Sequence, residues 1–147
     1  MCHQIIYNDE EDCSYVTATG TLGVDDYKAL FLEAWSRPDY TNSGRAIWDF
    51  SACRMHFDTT QMGDDFSSLP RERKKQLFAK LAMEAVQDLA AFTRDHRPPR
   101  LPPRIAVVAG NEIDFGMTRV YHGFAGLEPE DLRVFKSIES ARQWLFD

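Results

Sequence analysis

Four groups of side chains in this 147-residue chain have the types and spacing that chemistry needs. Asp49 and Asp58 stand nine residues apart and, brought together, would make a carboxylate pair able to hold a metal or move a proton. Each also has an ordinary role: a strand-end Asp49 accepts from nearby loop amides, and Asp58 caps a following helix. Cys53-Arg-Met-His56 is a C-x-x-H spacing, two ligands or a nucleophile with its base. A structural zinc site wants four ligands, and His3, His96 and His122 lie far off in sequence, so we expect no metal, no cofactor and no catalytic set. The third group runs from Asn111 to Arg119. Gly110 closes an apolar run, the amides of the next helix start suit an anion or carboxylate, and Arg119 adds a bidentate charge. Against that, Glu112 and Asp114 supply carboxylates that cap the same helix from within, and Phe115 and Met117 suit packing under strand ends. The fourth is Arg71-Glu-Arg-Lys-Lys75, cations at the start of a helix, where the dipole disfavours them by about 0.3–1 kcal/mol each. They form a solvated face or, with Arg94, Arg97 and Arg100, meet an acidic partner or anionic head group.

The elements that must position these groups follow from periodicity. Cys2–Tyr7 and Ser14–Thr21 have strand character on either side of the acidic turn 8–12, which predicts a hairpin. Tyr27, Leu30, Phe31, Ala34 and Trp35 repeat at helical spacing within 24–36, with Asp25 and Asp26 in the first turn. Residues 37–44 have loop composition, and 45–51 is a third strand ending at polar residues. A loop and a short helix near 60–66 lead to Pro70, which suits the start of a long helix reaching about Thr93. Its apolar face is Leu77, Phe78, Leu81, Ala82, Ala85, Val86, Leu89 and Phe92. The proline-rich 97–104 is a stiff spacer before two βα units: strand 104–110, helix 111–125, strand 132–136 and helix 137–146. At least three βαβ crossovers result, all expected to be right-handed. Ligands or partners should then meet the chain at the carboxyl ends of the parallel strands.

Composition narrows the function classes. With 44% hydrophobic and 12% aromatic residues the chain can bury a core, and 147 residues fit one domain over 1–147. The net charge of −6 disfavours general nucleic-acid binding. It is uneven, however: residues 71–104 carry nine Lys or Arg against four Asp or Glu, which leaves room for a local anionic partner. No apolar run is long enough to cross a bilayer, and 1–9 lacks the charge and apolar pattern of a signal peptide. Three scattered cysteines suit free thiols, so a cytoplasmic setting is expected.

Four segments resemble the SpoIIAA-like family, related to STAS domains and to CRAL-TRIO lipid-binding modules. They are Tyr15-Val-Thr-Ala-Thr-Gly-Thr-Leu-Gly-Val-Asp-Asp-Tyr27, Ala46-Ile-Trp-Asp-Phe-Ser51, the strand 104–110 with Phe115-Gly-Met-Thr-Arg119, and 134–145. The resemblance implies an α/β fold: a mixed, mostly parallel sheet of about five strands wound as a β/α superhelix, with no established catalytic activity. In anti-anti-sigma STAS proteins an Asp at a strand end precedes a D-S-S-G turn whose first Ser is phosphorylated. Asp49 and Asp58-Thr-Thr-Gln61 are similar, which implies phosphorylation at Thr59 or Thr60, although Gln61 stands where that turn has glycine. The expected function is a non-enzymatic binding module for a partner protein or a small anionic or lipid-like ligand. It would use Asp49, Asp58, Thr59, Asn111, Phe115 and Arg119, with a homodimer contact through helix 70–93. One alternative is a small-molecule or lipid carrier, which requires a sizeable apolar pocket beneath the long helix. The other is a small hydrolase or transferase, which requires Asp49, Asp58 or His56 to converge in one cleft.

Overall fold

The structure, a computed structural model, describes residues 2–56, 68–126 and 131–147. Strands β1 (Cys2–Asn8), β2 (Cys13–Leu22), β3 (Arg45–Met55), β4 (Arg104–Ala109) and β5 (Leu132–Phe135) form one sheet in the order of the sequence. β1 and β2 are an antiparallel hairpin, and β2–β3, β3–β4 and β4–β5 are parallel neighbours. The mixed, mostly parallel five-stranded sheet implied by the resemblance is the sheet found.

Three consecutive parallel crossovers that all step the same way must, if right-handed, lay their helices on one face. They do. Helices α1 (Val24–Trp35), α3 (Arg71–His96) and α4 (Glu112–Phe124) cover one face, together with the single turn α2 (Pro38–Thr41). α5 (Ile138–Phe146) follows the last strand, has no strand to cross to, and covers the other face. Strand alternation divides the core accordingly. Ala46, Trp48, Ile105 and Val107 face the helix layer, while Ile47, Ala106 and Val108 face α5.

Several boundaries differ from the sequence expectation. Residues 37–44 hold α2, started by Pro38 and anchored by the buried Tyr40, where a loop was expected. β3 continues past residue 51 to Met55, so Asp49 lies mid-strand and not at a strand end. The extension survives a register shift: two β2 residues, Thr17 and Thr19, span three steps of β3, from Asp49 to Ala52. Asp49 accepts from the Ser51 backbone N–H at 3.0 Å and the Ser51 hydroxyl at 2.6 Å, tying the bulge from within. β4 ends opposite this bulge, where Gly110 lies so close that a Cβ on it would sit 2.2 Å from the Ser51 carbonyl oxygen. The long helix runs three residues beyond Thr93, and its apolar face is used unequally. Ala85, Val86, Leu89, Ala90 and Thr93 are buried, whereas Phe78 is among the exposed hydrophobics and none of 71–84 is buried. The expected short helix at 60–66 falls outside the described residues.

Candidate functional site

Between the sheet and the helix layer lies an apolar cavity of about 100 Å³. Its walls come from every element on that face. α1 supplies Tyr27, Phe31 and Trp35, one turn apart and therefore in one aromatic row along the helix. β3 contributes Trp48 and Phe50, two residues apart and therefore on the same side of the strand. α2 adds Tyr40 at the base, where its hydroxyl accepts from Trp48 Nε1 at 2.9 Å. α3 adds Val86, Leu89 and Thr93, and α4 adds Asp114, Met117, Thr118 and Tyr121.

Aromatic rings interlock around the space. Phe31 stands edge-on to Trp48 at 5.5 Å between centroids, and Tyr27 edge-on to Phe50 at 5.4 Å. Rigid planar groups held in this way adapt less to a gap than the leucines and methionines that line the same space. The polar atoms at its edge are mostly engaged. Thr93 donates to the Leu89 carbonyl at 3.0 Å, so the 2.7 Å bond between Thr93 and Tyr121 has Tyr121 as donor. Burial raises the Tyr121 phenol to about 12 and pushes the Tyr27 and Tyr40 phenols well above their ordinary value, so the rings enter the wall as neutral groups.

Asp114 is the one carboxylate among the described lining residues, which include no Lys, Arg or His. It sits in the first turn of α4, where Asn111 is the N-cap. Asn111 Oδ1 accepts from the Asp114 N–H at 2.8 Å, and Asn111 Nδ2 donates to Asp114 Oδ2 at 2.8 Å. Thr118 donates back to the Asp114 carbonyl at 2.7 Å. The charge of Asp114 reaches into the site, where it adds to burial in raising both the Tyr27 phenol and the Cys53 thiol, the latter to about 11.

The residues singled out from sequence are placed as follows. Asn111 caps α4, with its side chain turned to its own helix. Phe115 is half-buried outside the cavity, with Lys136 Nζ 5.1 Å and the Arg119 guanidinium 5.9 Å from its ring centroid. Arg119 is exposed, and Glu112 pairs with Lys136 at 2.5 Å. The start of α4 therefore already holds two carboxylates and an engaged amide. Asp49 alternates with Trp48 and Phe50, which both line the cavity, so it points to the other face of the sheet. His56 is exposed, seven residues or about 20 Å along the chain from Asp49. The structure does not bring those two together. Asp58, Thr59 and Thr60 lie outside the described residues. Among the described residues no three His, Cys, Asp or Glu side chains cluster as metal ligands would. Among the described residues no helix is long and apolar enough to cross a membrane.

The cavity residues that sequence reasoning passed over are Tyr27, Trp48, Phe50, Met117 and Tyr121 as lining, with Asp114 taken only as a cap. The available signal was an excess of aromatics on the inward positions of α1 and β3: 27, 31 and 35; 48 and 50. Aliphatic residues pack such layers more easily.

No protein-family model matches the chain, and no curated protein does. Among solved structures the chain is similar to an uncharacterized protein of the DUF3478 family from Shewanella loihica PV-4. The likeness covers 98% of this chain and 92% of that one, at 16% sequence identity and a TM-score of 0.47. That protein's fold is described as SpoIIAA-like, the fold that the sequence motifs resemble.

Proposed function

We propose that this chain is a small-ligand binding module whose site is the aromatic cavity between the sheet and helices α1, α3 and α4. The single observation that carries this is the cavity itself: about 100 Å³ of space beneath the long helix, walled by seven aromatic side chains. Apolar wall area of this kind gains about 25 cal/mol per Å² when a ligand covers it. A bound apolar group recovers the lost contacts, as benzene does in an engineered cavity of about 150 Å³. The volume suits a short alkyl chain or one small ring, so a lipid-like molecule would bury one end and leave the rest outside.

Of the functions considered from sequence, the carrier of an apolar ligand gains most from the structure. The hydrolase or transferase reading has no support among the described residues, since Asp49 and His56 stand apart. The partner-protein reading, with phosphorylation at Thr59 or Thr60 and a dimer contact along 70–93, has its defining turn outside the described residues.

Native mass spectrometry of gently purified protein tests the proposal, with a co-purified small molecule as the expected result. Titration with hexanol, followed by NMR, gives the second readout. Shifts should concentrate on Trp48, Phe50, Met117 and Tyr121, and Val107→Phe, which fills the cavity, should abolish them while the protein stays folded. Failure of hexanol to bind, or shifts that survive Val107→Phe, overturns the reading.

A further inference from the structure

We infer that the ligand carries a cationic head, an alkyl- or arylammonium, held at Asp114 against the aromatic wall that Tyr27 and Phe50 help to form. The inference rests on the cavity being the ligand site and adds the chemistry of the end that remains outside the apolar wall.

Three observations on the site point this way. First, its charge is of one sign. Asp114 is the carboxylate in the wall, and no basic side chain among the described residues lines the cavity. A second carboxylate, Asp26 in the first turn of α1, acts with Asp114 on the lining Tyr27. An anionic head would be repelled here, and a neutral one would gain nothing from the field.

Second, the cations nearest in sequence are engaged elsewhere. Lys28, the neighbour of Tyr27, is held by Asp88 of α3 at 3.0 Å and lies over Phe92. Arg119 lies over Phe115, away from the cavity. Among the described residues no basic side chain lines the cavity beside Asp114, whose Oδ2 accepts from Asn111 Nδ2 at 2.8 Å.

Third, the aromatic rings of the cavity have faces to offer. Elsewhere this protein pairs rings with cations repeatedly: Arg104 and Arg133 over Trp144, Arg45 and Arg142 over Phe146, Lys136 and Arg119 over Phe115. Among the described residues no cation lies over a ring that lines the cavity. A ring cluster with a carboxylate at its edge is the arrangement that recognises ammonium groups, through the ring quadrupole and a charge-assisted N–H···O bond. The half-buried Tyr27, edge-to-face with Phe50 at 5.4 Å, is a lining ring on which that carboxylate acts.

The test compares three probes of one chain length, hexylammonium, hexanol and hexanoate, by NMR titration of the full chain. Hexylammonium should bind at least tenfold tighter than hexanol, and hexanoate weakest. Asp114→Asn should bring hexylammonium to within about twofold of hexanol and leave hexanol itself unchanged. Because Asp114 also takes part in the cap, the variant's unfolding curve is measured alongside. Raising salt on the wild-type protein provides an independent arm, and should weaken hexylammonium but not hexanol. Equal binding of amine and alcohol, or a preference untouched by both Asp114→Asn and salt, overturns the cationic head while leaving the cavity as a ligand site. Binding of none of the three overturns the ligand site itself.

Discussion

The two faces of the sheet are built from the same strands and solve the packing problem in opposite ways. On the α5 face the core is small and dense: Cys13, Ile47, Ala106, Val108, Ala141 and Leu145, with Tyr15, Phe135, Ile138 and Trp144 at its margin. Its edges are locked by arginines. Arg142 reaches Glu11 at 2.6 Å and the Tyr15 hydroxyl, Tyr15 donates to Glu11 at 2.5 Å, and Arg45 joins the Glu11 carbonyl to that of Leu145. On the other face the core is larger and dominated by rings, yet it retains a cavity. α4, which closes that cavity, has no fully buried residue, and Ile113 on its outer side is 67% exposed. One face spends its side chains on fixing the hairpin to the C-terminal helix; the other leaves a space that its rigid rings do not fill. The ligand site we propose lies on the second.

This contrast can be broken by substitution. The largest effect is expected for Leu145→Ala, which removes a side chain only 1% exposed from the dense face. It should cost about 3 kcal/mol, read as a fall in urea midpoint, and a cost under 1 kcal/mol would mean that face is not tightly packed. A more direct comparison uses neighbours in one strand. Val108→Phe overpacks the α5 face and should cost about 2 kcal/mol, whereas Val107→Phe enlarges toward the cavity and should change stability by less than about 1 kcal/mol. Equal costs would abolish the distinction between the faces.

Acid sharpens the comparison further. Hydrogen bonds from Arg142 and Tyr15 hold the Glu11 carboxyl below its ordinary 4.5. A carboxyl with a depressed folded-state pKa gives stability above the unfolded value and loses it as pH falls through the folded one. Stability should therefore decline below about pH 4.5, and Glu11→Gln should flatten that part of the profile in urea unfolding measured from pH 6 downward. An unchanged slope would show that the clamp is screened. The smallest contrast is expected at the thiols. Cys13 on the α5 face and Cys53 on the cavity face are both buried and both raised to about 11 by burial. They should react with a thiol reagent far more slowly than the exposed Cys2, and at similar rates in Cys2→Ser protein. A fast Cys53 alone would mean that solvent enters the cavity side.

Most elements of the fold were legible because local periodicity and caps specify them. The apolar run 104–109 and the helical spacing of 112–124 are read directly, and Asn111 and Ser137 mark their helices by capping them. Two elements were missed for physical reasons. α2 is a single turn held by burial of Tyr40 against Trp48, a tertiary contact with no periodic signature. The extension of β3 depends on the bulge at Ser51, where an extra residue shifts the inward positions from 46, 48 and 50 to 53 and 55 and so destroys the alternation that announces a strand.

The chemical residues show the limit most clearly. Asp49, Asn111 and Asp114 attracted notice as types, and each is bonded within two or three residues of itself, a local event. Whether a carboxylate also faces a cavity is not local: Asp114 does because α4 lies over Phe50 and Tyr27, which reach the same place from β3 and α1. Spacing along the chain was enough to read four of the five helices, the approximate strands and the right-handed sense expected of their crossovers. Only the tertiary structure decided that the aromatic positions of three separate elements meet without filling the space between them. Packing volume is a property of side chains distant in sequence, and no periodicity records it.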